Sequence, residues 1–266
     1  MGTTNKNIEK TSKKQKAPVI IALTGKGGVG KTSLSALFVR QLTEAFPDKK
    51  ILAIDADPAV GLAMALGVDV KMTVDDIRNL FIKTAQTDQA AAIEMLGEAK
   101  YRMFDALVER KNLSFLAIGR PESAGCYCKV NAYLKEIISM LAGNFDYVVI
   151  DGEAGIEQVN RRVMEKVTHL ILVSDASKKG IEVAKTIHEV AKDLVMFDES
   201  GIIINRMPDL HLVDQLELEP LQLLSCIEDD KAMALSDMLG KSVYEIDASS
   251  PIYQGGVEAL KNLGIL

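Results

Sequence analysis

Eight consecutive residues constrain this chain more than any other feature. Gly25-Lys26-Gly27-Gly28-Val29-Gly30-Lys31-Thr32 satisfies the pattern G-x-x-x-x-G-K-[ST]. An apolar, β-branched run at Val19–Leu23 precedes it. After it, Leu34, Leu37, Phe38 and Leu42 share one face of a helix expected over Thr32–Phe46. The mechanism requires this order of strand, glycine loop and helix. The glycines let backbone N–H groups turn inward around phosphate oxygens, and the helix N-terminus adds partial positive charge. Gly25, Lys26, Gly27, Gly28, Val29, Gly30, Lys31, Thr32 and Ser33 are therefore the candidate nucleotide-binding residues. Lys31 is expected to reach the β- and γ-phosphates, and the Thr32 hydroxyl to ligate Mg²⁺.

The rest of the chain repeats the alternation. Strands are expected at Ile51–Ile54, Asn112–Ile118, Tyr147–Ile150, Leu170–Val173, Ile202–Ile204 and Leu221–Leu224. Helical patterns fill most of 73–109 and cover Tyr133–Leu141 and Ile181–Leu194, with short helices near 230–239 and 255–263. Short, uniformly apolar strands separated by helices imply a mostly parallel central sheet with helices on both faces. The fold class is α/β, a single-domain P-loop NTPase over residues 18–266 behind a flexible basic tail at 1–17. In such sheets ligands bind beyond the carboxyl ends of the strands. The loops at 25–32, 55–61, 119–129, 151–156 and 205–209 are thus expected to gather.

Three strand ends in this set carry chemistry. Asp55 and Asp57 follow the second strand, where a carboxylate can hold a magnesium water or orient an attacking water. Asp151 ends the strand at 147–150, where a Walker B aspartate belongs, and Gly152-Glu153-Ala154-Gly155 reads as a switch whose Gly155 N–H can sense the γ-phosphate. Together Thr32, Asp55, Asp57 and Asp151 form the expected magnesium set. Asn205-Arg206-Met207-Pro208-Asp209 spaces its aspartate one residue too far for the guanine-reading N-K-x-D pattern.

Lys26 narrows the family. A lysine directly after the first glycine resembles the deviant Walker A motif, K-G-G-x-G-K-[ST], of the MinD, ParA, arsenite-pump and nitrogenase iron-protein ATPases. The resemblance implies ATP/ADP as ligand, Asn205 contacting adenine with Arg206 beside it, and catalytic roles for Lys26, Lys31 and Asp57. It implies that Lys26 reaches the phosphates of a partner chain, so that ATP closes a homodimer.

Cys126-Tyr127-Cys128 adds a second chemistry. Thiols at i and i+2 share a face of an extended strand, or converge where the backbone turns, and can reach one metal ion. A twofold dimer would supply four thiolates, tetrahedral for Zn²⁺ or square-planar for Ni²⁺. A redox pair and two ordinary cysteines are the alternatives. Cys226, beside an apolar run, reads as core. The deviant P-loop, Asp55-Ala56-Asp57-Pro58, the Gly119-Arg120-Pro121-Glu122 to Cys128 loop and Glu153-Ala154-Gly155-Ile156-Glu157 together resemble the CooC type of nickel-insertion ATPase and its sister AcsF group. That resemblance implies Ni²⁺ or Zn²⁺ shared through Cys126 and Cys128 of two chains. It implies carbon monoxide dehydrogenase or acetyl-CoA synthase as the nickel client, with ATP-driven rearrangement coupled to metal release.

Composition removes several classes. With 48% apolar and 26% charged residues among 266, the chain is neither disordered nor collagenous. No apolar run approaches a membrane span, and residues 1–17 lack the apolar stretch of an export signal. Three cysteines build no disulfide framework, so a reducing cytoplasmic setting is expected. Residues 1–17 hold five lysines against Glu9, so the body is more acidic than the net charge of −6 conveys, and no nucleic-acid partner is expected. A spatial organiser of the MinD or ParA type would need a basic amphipathic end, whereas Gln254–Leu266 has three glycines and one lysine; no membrane partner is expected. An iron–sulfur carrier or reductase is the other alternative.

Overall fold

The computed structural model describes residues 17–87, 89–120, 128–152, 159–160 and 163–266. The expected tail lies outside them except for Ala17. Its strands are β1 (Val19–Gly25), β2 (Ile51–Asp55), β3 (Val108–Arg110), β4 (Leu113–Ala117), β5 (Tyr147–Asp151), β6 (His169–Ser174), β7 (Glu199–Met207) and β8 (Leu223–Glu228). Its helices are α1 (Lys31–Ala45), α2 (Gly61–Leu66), α3 (Val74–Thr87), α4 (Gln89–Asp105), α5 (Cys128–Ala142), α6 (Lys178–Leu194), α7 (Lys231–Met238) and α8 (Pro251–Asn262). The strands form one sheet in the order β3-β4-β2-β5-β1-β6-β7-β8. Every pairing is parallel except the one that joins β3 to β4.

Alternation along each strand divides the core in two. Ile21, Leu23, Ile51, Ala53, Phe115, Val149 and Val173 pack with Leu34, Leu37 and Phe38 of α1 and with Ile252, Ala259 and Leu260 of α8. Their neighbours Ala22, Leu52, Ile54, Leu116, Val148 and Ile150 point the other way. They join Ile77 and Phe81 of α3, Met103 of α4 and Leu134, Ile137 and Ile138 of α5. Leu172, Ile202 and Ile204 pack with Ile181 and Ala184 of α6. Both faces are covered, which is why the strands are apolar on both sides.

The C-terminal segment is tied to the helix behind the glycine loop. Arg40 of α1 is buried; its Nη1 donates to the carbonyls of Val243 and Ile246 at 2.8 and 2.6 Å, and its Nε pairs with Glu44 at 2.8 Å. Its guanidinium lies 4.8 Å from the centre of the Tyr253 ring. Gln41 donates to the Tyr253 carbonyl at 2.7 Å.

Several expectations need correction. The helical reading of 73–109 runs too far, because Val108–Arg110 turns at Lys111 and pairs antiparallel with β4. Glu109, Arg110 and Lys111 are helix formers by composition, and the open sheet edge overrides them. The strand placed at Leu221–Leu224 lies at Leu223–Glu228, because pairing with β7 continues through the polar Ser225 and Glu228. Cys226 is half-buried at that edge rather than in the core. The last helix begins at Pro251 rather than near 255, with Ser250 as its N-cap and proline in its first turn.

Candidate functional site

The site is built where β1, β2, β5, β6 and β7 end. Gly25 closes β1 with φ +145°, and a side chain there would overlap the Val173 carbonyl of β6. Gly30 has φ +95°, and a side chain there would meet the Asn205 amide. At both positions only glycine keeps this backbone. Asn205, at the end of β7, donates from Nδ2 to the Val29 carbonyl at 2.8 Å and accepts from the Arg206 N–H at 3.0 Å. Arg206 has φ +58°, and its Nη1 donates to the Gly28 carbonyl at 3.0 Å. Two consecutive residues of β7 thus hold two carbonyls of the glycine loop.

Helix α1 opens without a side-chain cap and without an acidic residue in its first turn. The N–H groups of its first turn and its dipole suit an anion. Lys31 is buried, and its Nζ donates to the carbonyls of Gly25 and Lys26, both at 3.1 Å. Lys26 is different: its side chain is 44% exposed, and its Nζ lies 3.9 Å from Asp175 just beyond β6. The Ser177 hydroxyl holds the Asp175 carboxyl below the usual range, with Lys26 and Arg206 adding to the effect.

Asp55 and Asp151 stand side by side at the ends of paired strands, and both are buried. Asp55 accepts from the N–H of Asp57 at 3.1 Å and of Leu62 at 2.9 Å. Asp151 Oδ1 accepts from Ser35 at 3.0 Å, whereas its Oδ2 is buried without a hydrogen bond. Burial, and then the Asp151 charge, push the Asp55 carboxyl up to about 7. Burial likewise raises Asp151 to about 6, against the pull of Thr32, Ser35 and Lys31. Two adjacent buried carboxylates with an orphaned oxygen fit a hard divalent cation. Among the described residues no three His, Cys, Asp or Glu side chains converge as a protein-only metal cage. Mg²⁺ does not need one, because it keeps waters and phosphate oxygens in its shell. The Thr32 hydroxyl, at the second position of α1, supplies a further oxygen to this set. Asp57 is partly exposed and accepts from the Ala59 N–H at 2.8 Å. Val60, which ends this loop, has φ +53°, a costly conformation for a β-branched residue.

These shifts have a consequence for pH. Both folded-state values lie above the ordinary 3.8, so the unfolded chain releases these protons first. The stability they contribute is complete below about pH 4 and is lost as pH rises through about 6 to 7. Asp55→Asn, which cannot ionise, is expected to gain thermal stability relative to the parent as pH is raised from about 5 to 8 in EDTA. Melting curves of both proteins across that range check this; a constant gap overturns it.

Beside α1 lies a cavity of about 320 Å³, lined by Gly30, Ser33, Asn205, Arg206, Asp230 and Met233 among others. Asp230 caps α7, accepting from the N–H groups of Ala232 and Met233 and, across the cavity, of Ile252. Ser33 donates to Asp237 of α7 at 3.3 Å.

The structure thus brings together Gly25 to Ser33, Asp55, Asp57, Asp151, Asn205 and Arg206. Gly155 and Cys126 lie outside the described residues. Cys128 is the first residue of α5, and Gly119 and Arg120 follow β4 at the same edge of the sheet. Sequence reasoning missed Asp175, although it follows a strand as Asp55 and Asp151 do. It also missed Asp237, which carries no local signal.

The model of the AAA domain family matches residues 17–197. An uncharacterised ATP-binding protein of Methanocaldococcus jannaschii is 37% identical over 241 residues, covering 89% of this chain and 94% of its own. The carbon monoxide dehydrogenase accessory protein CooC of Rhodospirillum rubrum is 28% identical over 85% of this chain and 89% of its own. Among solved structures, the septum site-determining protein MinD of Pyrococcus horikoshii, complexed with Mg-ADP, is similar with a TM-score of 0.65 at 23% identity, covering 92% of this chain and 96% of its own. A ParA family ATPase from Chlorobium tepidum gives 0.67 at 22% identity, over 92% and 99%. These two likenesses speak to the fold.

Proposed function

Because this chain belongs to the AAA domain family of ParA/MinD-like P-loop ATPases, we propose that it is an ATP-hydrolysing metallochaperone that delivers nickel to carbon monoxide dehydrogenase or acetyl-CoA synthase. The observation that carries this reading is the Cys126-Tyr127-Cys128 motif, whose last residue opens α5. The identity with CooC along most of both chains supports it. In this reading residues 18–266 act as one ATPase domain, and Ni²⁺ or Zn²⁺ is cargo held by Cys126 and Cys128 of two chains. Among the described residues no helix is long and apolar enough to cross a membrane.

The chain's own groups divide the work. Lys31 exchanges the Gly25 and Lys26 carbonyls for β- and γ-phosphate oxygens, and the N-terminus of α1 binds the remaining phosphate charge. Thr32, Asp55, Asp57 and Asp151 would hold Mg²⁺, which neutralises phosphate charge when bound. Asp57 orients the water that attacks the γ-phosphorus as the bond to ADP breaks. Lys26 leaves Asp175 and reaches the partner's phosphates, and Gly155 senses whether the γ-phosphate is present. Closing and opening the dimer alters the spacing of the two cysteine pairs, which couples hydrolysis to metal release.

Anaerobic nickel titration of the reduced protein, with light scattering for mass, tests the proposal. One Ni²⁺ per two chains is expected, lost in Cys126→Ser/Cys128→Ser while nucleotide binding persists. A folded, nucleotide-binding protein that takes up no nickel specifically would sink it.

A further inference from the structure

An acidic group outside the phosphate machinery reaches into it. Asp237 comes from α7, 204 positions beyond Ser33, yet the Ser33 hydroxyl donates to its Oδ2 at 3.3 Å. Ser33 is the third residue of α1, and both residues line the 320 Å³ cavity. Asp230, the N-cap of the same helix, is spent on three backbone N–H groups. Asp237 has no such capping duty: it sits in the last turn of α7.

The position says what it could meet. On a loop of this type the lysine reaches the β- and γ-phosphates while backbone N–H groups cradle the α- and β-phosphates, which leaves the α end toward the first turn of α1, where Ser33 lies. An ester oxygen and one carbon then link the α-phosphate to the ribose ring. A nucleotide that continues into the cavity sets its ribose beside Ser33 and Asp237. Its base goes beyond, toward Asn205, Arg206 and Met233. A carboxylate so close to phosphate is repelled by it. Arg206 offsets part of that charge. The rest must be repaid by strong donors, and vicinal hydroxyls are the donors available there. Two hydroxyls match the two acceptor oxygens of one carboxylate. Guanine's N1–H and N2–H would match as well, but the base lies past the ribose from Ser33.

We infer that Asp237 selects ribonucleotides by accepting hydrogen bonds from the ribose 2′- and 3′-hydroxyls of a nucleotide whose α-phosphate rests at Ser33. The inference builds on the assignment of this face to ATP. Calorimetric titration with ATP, 2′-deoxy-ATP, 3′-deoxy-ATP and GTP tests it. The parent protein is expected to bind ATP about tenfold more tightly than either deoxy analogue. Asp237→Ala is expected to bind all three adenine nucleotides alike, near the parent's affinity for the analogues. If that variant does not fold, Asp237→Asn keeps the size and is expected to narrow the gap at least about threefold. Analogues that match ATP on the parent overturn the inference, as does a hydroxyl penalty that survives both substitutions. A change confined to the ATP-to-GTP ratio assigns Asp237 to the base and overturns it too. Failure of the parent to bind ATP at all is a different result, which removes the ATP site itself.

Discussion

Lys31→Ala is expected to weaken ATP binding by at least about a hundredfold, below detection in an ordinary titration. The reason is in how the lysine is held. Its ammonium is buried and donates to two carbonyls of the loop it follows. A buried ammonium that donates to neutral carbonyls gains sharply when phosphate oxygens replace them, because those contacts become ones between full charges at low dielectric. Removing it leaves the phosphates to the N–H groups of the glycine loop and α1 and to Mg²⁺. The fold should survive, since the core contacts of α1 come from Leu34, Leu37 and Phe38, which the substitution leaves in place. Circular dichroism of the variant, alongside titration with ATP, separates the two effects. An affinity within about threefold of the parent would remove Lys31 from the phosphate site.

Lys26→Ala should show the reverse pattern. The side chain is half-exposed, and its 3.9 Å pairing with Asp175 contributes little stability in water. ATP binding is therefore expected to stay within about threefold, while hydrolysis falls about a thousandfold, as when a transition-state cation is withdrawn. ATP-dependent dimer mass in light scattering should vanish as well. Mixing chains tests whether the lysine acts across the dimer. A Lys26→Ala chain paired with an Asp57→Ala chain rebuilds one site containing both an intact Asp57 and a partner Lys26. Neither variant alone should hydrolyse ATP, and the mixture should recover part of the rate. A mixture as inactive as its parts would argue that Lys26 serves its own chain.

The glycine loop and the acids behind it were readable because their chemistry depends on spacing within short segments. Gly25 to Thr32 and the strand-end Asp55 and Asp151 each announce themselves within a few residues. The layering was readable for the same reason: uniformly apolar strands such as Ile51–Ile54 need cover on both faces. What was lost depends on distant partners. Val108–Arg110 is a strand only because Leu113–Ala117 offers it an edge. Ser225 and Glu228 extend β8 because β7 lies alongside, and Ser225 finds Glu258 at 2.7 Å. Asp237 matters through Ser33, far away in the chain. The resemblance places Asn205 at adenine; the bond from its amide to the loop carbonyl of Val29 is a further pairing that no local pattern announces.

Helix α8 bears on what kind of motion this protein can perform. Gly255 and Gly256 let it approach so closely that an added methyl would strike Ile227 on one side and Gln41 on the other. Arg40 holds the turn leading into it through two carbonyls, and Tyr253 lies against the same guanidinium. An element seated this way, with Ile252 lining the cavity beside α1, is a fixed wall rather than a detachable float. Freeing it to seek a lipid surface would take the Tyr253 ring from the Arg40 guanidinium and the Tyr253 carbonyl from Gln41, and open the apolar layer behind the phosphate loop. Recruitment by detaching α8 is therefore a costly route for this chain.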